Sequence, residues 1–457
     1  MEKNTSHEAH YRRMAEAPVS SLVVNLAIPS IITMLISSIY NMADTFFVSQ
    51  INISASGAVG IVFSIMAIIQ AIGFSLGMGS GSLVSRYLGA KENQMADTVA
   101  SVGFFSALAI GGLVMTCGML FQEQLVRFLG ATDTISGYAQ SYAHYILFAA
   151  PLMCATYQMN NVLRSEGKAA LGTIAMVSGG LLNIALDPLF IFTLNMEIAG
   201  AAIATALSQC ISFFILLYIY LSGRSTIRLS IQRLPGNMGL LWNILVTGFP
   251  SLCRQGLSSL ASVATNRAVR PYGDAAIAAM SITSRIIHFQ GSVVRGLSQG
   301  CQPVAGFNYG AKHYRRVSDA TRFTILLGTG FMLAVSTVFF IWAPSIMQSF
   351  CKGDTQVVRI GTLAIQAYCF VAPLTGLVTT ISMVLQSIGK SGQATLLSCC
   401  RQGIFLLPVL AFLPIHLDLF GIQIAQPLAD FLTFCVSLPM YVTFNKKCSL
   451  LMQSSDI

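Results

Sequence analysis

Two aspartates stand inside stretches that are otherwise apolar, and the polar residues around them fall at helical spacing. Asp44 closes a run of Ser37, Tyr40, Asn41 and Asp44, three and four residues apart, so one helix face would carry a phenol, an amide and a carboxylate. Asp187 follows Asn183 by four and directly precedes Pro188, which places amide and carboxylate together beside a turn that proline weakens. Thr205 and Gln209 repeat the four-residue step on the next apolar stretch. A charge at the centre of a bilayer costs at least ~2.5–3.5 kcal/mol on insertion scales, so an acid kept there has a partner, a wet cavity or a task. Burial disfavours a lone carboxylate while a nearby cation restores it, so an acidic pocket lined with hydroxyls and amides can take up a proton or a small cation. The plainer alternative is that each acid bonds a neighbouring helix and does nothing more.

The second half of the chain carries the opposite charge. Arg254, Arg285, Arg295 and Arg401 fall within apolar stretches, against one mid-span acid, Asp430. Arg285, His288, Ser292, Arg295 and Gln299 follow at steps of three and four, forming a polar stripe that must turn away from lipid. Arg254, Ser258, Ser262 and Thr265 form a second stripe, and Gln423, Gln426, Asp430, Thr433 and Ser437 a third. Two readings stay open. Arg401 or Arg254 pairs with Asp430 while the rest snorkel or bond carbonyls, or Arg254, Arg295 and Arg401 face a cleft and bind an acidic group on a substrate. Met34 and Met280 would add adaptable thioether surface to that cleft, and His288, Gln299 and Asp430 polar contacts.

The elements that must position these residues follow from composition. Hydrophobic residues make up 54% of the 457 and charged residues 9%, far below the roughly 25% of a soluble domain. Apolar runs of about 20 residues recur, the length that crosses the hydrocarbon as helix. Spans are expected near 21–48, 53–84, 95–121, 136–160, 169–193 and 198–221, and near 240–268, 275–306, 317–345, 357–384, 393–415 and 419–444. The chain is also written twice. Gly89-Ala90-Lys91 recurs 221 positions later as Gly310-Ala311-Lys312, Pro29 as Pro250 and Gly200 as Gly421, while VLRSEGK from Val162 recurs as VLQSIGK from Val384. So long a repeat, with an even number of spans per copy, predicts an all-α membrane protein of twelve transmembrane helices in two parallel-repeat six-helix lobes around a central cleft. The N-lobe is expected over 1–221, a cytoplasmic linker marked by Pro235-Gly236 over 222–239, and the C-lobe over 240–457. The N-terminal segment, even loops and C-terminal tail hold 17 of the 26 Lys and Arg and the odd loops 5, which predicts that both termini are cytoplasmic. The net charge of +9 then reflects topology, and nucleic-acid binding needs no invoking. No cleavable signal, disulfide framework or paired metal spacing is legible.

With these strings in order, the chain resembles the multidrug and toxic compound extrusion (MATE) transporters, and more closely their DinF-like and MepA-like prokaryotic branch than the NorM branch. The resemblance rests on NMADTFFVS with Asp44, GSLVSRYLGAK and GFNYGAK, VLRSEGK and VLQSIGK, LNIALDPLFIF with Asn183 and Asp187, and GAAIATALSQ with Thr205. It implies a cell-membrane antiporter that exports amphipathic compounds in exchange for protons or sodium ions. It also implies a cation site at Asp44, Asn183, Asp187 and Thr205, beside Tyr40 and Asn41, that would hold Na+ or a proton. The expected partners are a small amphipathic substrate and membrane lipid, with no cofactor beyond the coupling ion and a monomeric protein. A lipid-linked oligosaccharide flippase of related architecture fits the C-lobe arginines but fits the acids poorly. No HExxH, Ser/His/Asp arrangement or phosphate-cradling loop suggests an enzyme.

Overall fold

The computed structural model of the chain describes residues 8, 11–51, 53–233, 238–350 and 354–455. Pro235 and Gly236, expected to break the linker, lie outside them. The described residues are helical nearly throughout and contain no strand. The long helices are α1 (Val19–Ser49), α2 (Ile53–Gly89), α3 (Asn93–Leu120), α4 (Asp133–Ser165), α5 (Ala169–Pro188) and α6 (Glu197–Leu221). The second half repeats them as α7 (Met238–Val269), α8 (Asp274–Gly310) and α9 (Tyr314–Phe350), then α10, which runs from Thr355 to Ser387 through a tight turn at Pro373. Helix α11 starts at Ser391, and a backbone break at Asp418 separates it from α12, residues 419–455. Eight helical stretches are long and apolar enough to cross a membrane by themselves, the continuous run Ser391–Gln453 holding two of the twelve spans. Helices α4, α7 and α8 fall short of that threshold. On α7 and α8 the shortfall comes from the polar stripes read above.

The polarity of the fold is inverted relative to a protein in water. Leu113, Phe148, Leu326 and Phe412 are exposed, while Asn183, Asp187, Thr205, Gln299, Asn308 and Asp430 are buried. Lipid accepts the first group, and the second can persist only where other side chains complete its hydrogen bonding.

Between helices, where lipid provides no hydrophobic drive, close contact depends on small residues. Gly73, Gly77 and Gly81, four apart on α2, meet Cys154, Tyr157, Asn161 and Ser165 of α4 so closely that a Cβ at Gly73 would lie 2.9 Å from the Cys154 backbone. Backbone conformation also repeats. Lys91 and Lys312, 221 apart, both end their helices in the left-handed region at φ 62° and 63°. Glu197 and Asp418, also 221 apart, both open a sixth helix at φ 50° and 49°.

The chain divides into two compact units, one of residues 1–14 and 32–252, the other of 15–31 and 253–457. Helices α1 and α7 thus each change unit within a few residues of Pro29 and Pro250. In the first unit α7 approaches α2 where Gly248 meets Ser75 and Gly79 meets Ile244, and in the second α1 approaches α8 where Gly296 meets Ile31 and Gly300 meets Ala27. The α2 and α8 positions involved, Ser75 and Gly296, Gly79 and Gly300, are related by the same 221 positions.

In the first unit the segment after α6 is strapped down. Glu166, fully buried after α4, accepts hydrogen bonds from Ser225 Oγ at 2.6 Å and from the backbone N and hydroxyl of Thr226. Asp97 accepts from the Arg228 backbone N at 2.9 Å and pairs with Arg233 at 2.5 Å. Burial raises the carboxyl pKa of Glu166, and its donors with Lys168 counter part of that rise.

Candidate functional site

Asp44, near the end of α1, reaches α4. The Tyr142 hydroxyl donates to Asp44 Oδ2 at 3.4 Å and lies near Thr205 on α6. On α5, Asn183 Nδ2 donates to Asp187 Oδ1 and to Thr205 Oγ1, both at 3.2 Å. Asp187 lies near enough to Asp44 to feel its charge. Residues separated by as much as 161 positions, Asp44 and Thr205, are thereby gathered into one cluster on four helices.

Among the described residues three oxygens of this cluster are buried with no hydrogen-bond donor: Asp44 Oδ1, Asn183 Oδ1 and Asp187 Oδ2. Orphan acceptors inside a protein are costly and uncommon. Three of them, on two acids and an amide, make a site that a proton or a hard, oxygen-preferring cation would complete. No group of three or more His, Cys, Asp or Glu that could hold a metal ion occurs among the described residues.

Beside the acids lies a small space lined by Tyr40, Asn183, Thr205, Ser208, Gln209 and Ser212, with room for about one water-sized occupant. Ser208 Oγ and Gln209 Oε1 are also buried without partners. Tyr40 is tied to Tyr157, whose hydroxyl accepts from Gln70 at 2.8 Å. The Asn41 carbonyl accepts from Thr45 Oγ1. Tyr142 and Ser208 were not among the expected ligands, because periodicity on one helix says nothing about which residue of a distant helix will face it.

The local backbone helps present Asp187. Pro188 cannot donate, and the next five residues, Leu189–Thr193, form a wider π turn. In the second half a π turn over Cys400–Ile404 holds Arg401 itself.

The basic residues of the second unit converge as well. Arg401 Nε donates to Asp430 Oδ1 at 2.7 Å and its Nη2 to Oδ2 at 3.3 Å, and Gln426 Nε2 adds a bond to Oδ1 at 3.1 Å. Tyr368 on α10 lies near enough to Arg401 to interact with its charge. Arg295 Nη2 donates to the His288 carbonyl at 2.9 Å and to Ser292 Oγ at 2.8 Å, so the α8 stripe is internally connected. Arg254, Arg295 and Arg401 are near enough to repel one another. His288 is exposed, Gln299 buried and Met34 half-buried. Met280 is buried with Ala261, Ile286 and Met347 in an apolar cluster of the second unit. A thioether at helical spacing reads the same in a core as in a cleft, and long-range packing decides between them.

The same family profile, MatE, matches twice, over residues 29–189 and 250–412, with starts 221 positions apart. The chain is 26% identical over 446 residues to the multidrug export protein MepA of Staphylococcus haemolyticus, covering 97% of each. Among solved structures it is similar to an outward-facing multidrug resistance MATE transporter of the MOP superfamily, at 25% identity and a TM-score of 0.90, covering 96% of this chain and 98% of that one. It is as similar in identity and coverage, with a TM-score of 0.89, to a MOP superfamily transporter from Pyrococcus furiosus whose binding pocket of reverse polarity suggests a different function for that protein. A twofold profile match covering most of the chain, at the spacing of its internal repeat, establishes that the protein is a member of the MatE family of multi-pass membrane transporters.

Proposed function

We propose that this protein is a secondary antiporter of the cell membrane that exports small amphipathic organic compounds in exchange for protons or Na+ by alternating access. Asp44, Asn183, Asp187 and Thr205 form the ion site, with Tyr142 orienting Asp44. The observation that carries this reading is the buried cluster of two carboxylates and an amide with three donor-less oxygens. Two acids so placed attract positive charge strongly, because little solvent screens them. An ion that binds one conformation better than another shifts the population between them, and a preference of about 1.4 kcal/mol changes affinity tenfold. The multidrug export named for the staphylococcal relative supports the substrate class. The lobes are residues 1–221 and 240–457, the linker 222–239, both termini are cytoplasmic and the protein works as a monomer.

The test is dye efflux from proteoliposomes driven by a proton gradient alone or a Na+ gradient alone. Asp187→Asn is expected to lower gradient-driven efflux at least tenfold while the protein still elutes as a folded monomer in detergent. Efflux at the wild-type rate in that variant would remove the proposed ion site.

A further inference from the structure

We infer that the second unit holds an anion-binding site built on Arg295 and Arg401, which receives a carboxylate, phosphate or sulfonate group of the exported compound. The inference rests on the antiport reading above and names the substrate class it serves.

Charge bookkeeping leads to it. Asp430 is 1% exposed and spends both oxygens on Arg401 and Gln426. The Arg401 side chain remains 24% exposed after the pair has formed, and its Nη1 is not among the donors that Asp430 takes. The hydrogen bonds of Arg295 go to a carbonyl and a hydroxyl, which orient the guanidinium without neutralising it, and among the described residues its electrostatic neighbours Arg254, Arg401 and Tyr368 include no carboxylate. Snorkelling cannot resolve this charge. Arg295 lies about 31 Å along α8 from Asp274 and about 22 Å from Gly310 at 1.5 Å per residue, far from either helix end. A mid-membrane cation held in place by neutral groups lacks only an anion.

The geometry suits an anion that arrives and leaves. Arg401 is fixed by Asp430 and presented on the π turn, so it offers donors at little further loss of side-chain freedom. Exposed His288 stands within the field of both arginines and adds a donor or acceptor at the rim. At the repeat positions of Arg295 and Arg401 the first half carries Phe74 and Gly180, so the cationic site was acquired by one copy only. An amphipathic anion or zwitterion would set its acidic group on Arg295 and Arg401. A purely cationic compound would be repelled there.

The experiment uses the purified full chain and a xanthene dye carrying a free carboxylate together with its neutral methyl ester. Binding is read by fluorescence anisotropy in detergent. The carboxylate form is expected to bind about tenfold or more tightly than the ester, the worth of a charge-assisted hydrogen bond. Arg295→Gln should abolish that preference, and Arg295→Lys should restore part of it. Equal affinity for acid and ester in the wild type would overturn the inference, as would an Arg295→Gln protein that keeps the preference. Should the glutamine variant fail to fold, the acid-to-ester comparison on the wild type decides alone. Micelles with and without phosphatidylglycerol separate the sources: loss of the dye's preference when that lipid is present assigns the site to a lipid headgroup and overturns its assignment to cargo. Proteoliposome efflux keeps the two readings apart, since a wild type that exports only cationic dyes refutes the anion site and leaves antiport standing. A wild type that moves no dye under either gradient refutes antiport itself.

Discussion

At the residue scale the two charged clusters differ in how they are satisfied. Asp430 is closed by Arg401, Gln426 and a bidentate geometry, whereas Asp44 and Asp187 each keep one oxygen without a donor. Removing one member of a buried pair strands the other charge. Arg401→Gln is therefore expected to destabilise by about 3–5 kcal/mol. The double variant Arg401→Gln/Asp430→Asn should recover most of that loss, read as thermal midpoints in detergent. An additive double variant would show that the pair contributes nothing as a pair. Tyr142→Phe removes the donor to Asp44 Oδ2 and is expected to weaken ion-coupled efflux several-fold without lowering the unfolding midpoint appreciably. Spacing made Asn183 and Asp187 neighbours on one face, and their hydrogen bond follows from that spacing. It could not supply Tyr142, since the meeting of α1 with α4 depends on packing across 98 residues. It likewise left Arg401 with two roles, which the geometry of Asp430 narrows to a pair with donors to spare.

At the element scale the departures from regular helix sit beside the charged groups. The π turns at Leu189–Thr193 and Cys400–Ile404 adjoin Asp187 and contain Arg401. Pro188 signalled the first of them in the sequence. The second has no proline directly before it to announce it, and was not legible. The apolar runs revealed helices and approximate limits, because span length is set by membrane thickness. They did not reveal the strap, because Glu166, Ser225 and Thr226 look like ordinary polar loop residues until the chain returns. Glu166→Ala leaves the hydroxyl and backbone donors of residues 225 and 226 buried and unpaired, at a cost of about 1–3 kcal/mol. Faster tryptic cleavage near Arg224 and Arg228 would report it, and unchanged cleavage would argue against the strap. The pH sign follows from the raised carboxyl pKa of Glu166. The folded protein keeps that proton to higher pH than the unfolded chain, so the contribution is fully present in acid and is lost as pH climbs through the raised value. The stability of wild type relative to Glu166→Gln should therefore be greatest at the acid end and decline above the ordinary carboxylate range.

At the scale of the whole molecule, a duplicated scaffold carries chemistry that was not duplicated. Backbone features recur at 221 positions, in the left-handed pairs Lys91/Lys312 and Glu197/Asp418 and in the small-residue approaches of α2 and α8. The charged groups do not. Asp44 corresponds to Thr265, and Arg295 to Phe74. A parallel repeat places equivalent loops on the same side of the membrane, so single cysteines at Lys91 and Lys312 should both react with an impermeant maleimide only from the cytoplasmic face. Labelling from opposite faces would refute the parallel arrangement. The central claim, that the acids of the first half couple ion movement to export, is tested most directly by dye efflux from proteoliposomes holding wild type or Asp44→Asn under an imposed ion gradient. The account predicts that the gradient accelerates efflux through wild type and has no effect on the variant, although the variant still binds dye. Equal acceleration of both proteins would contradict it.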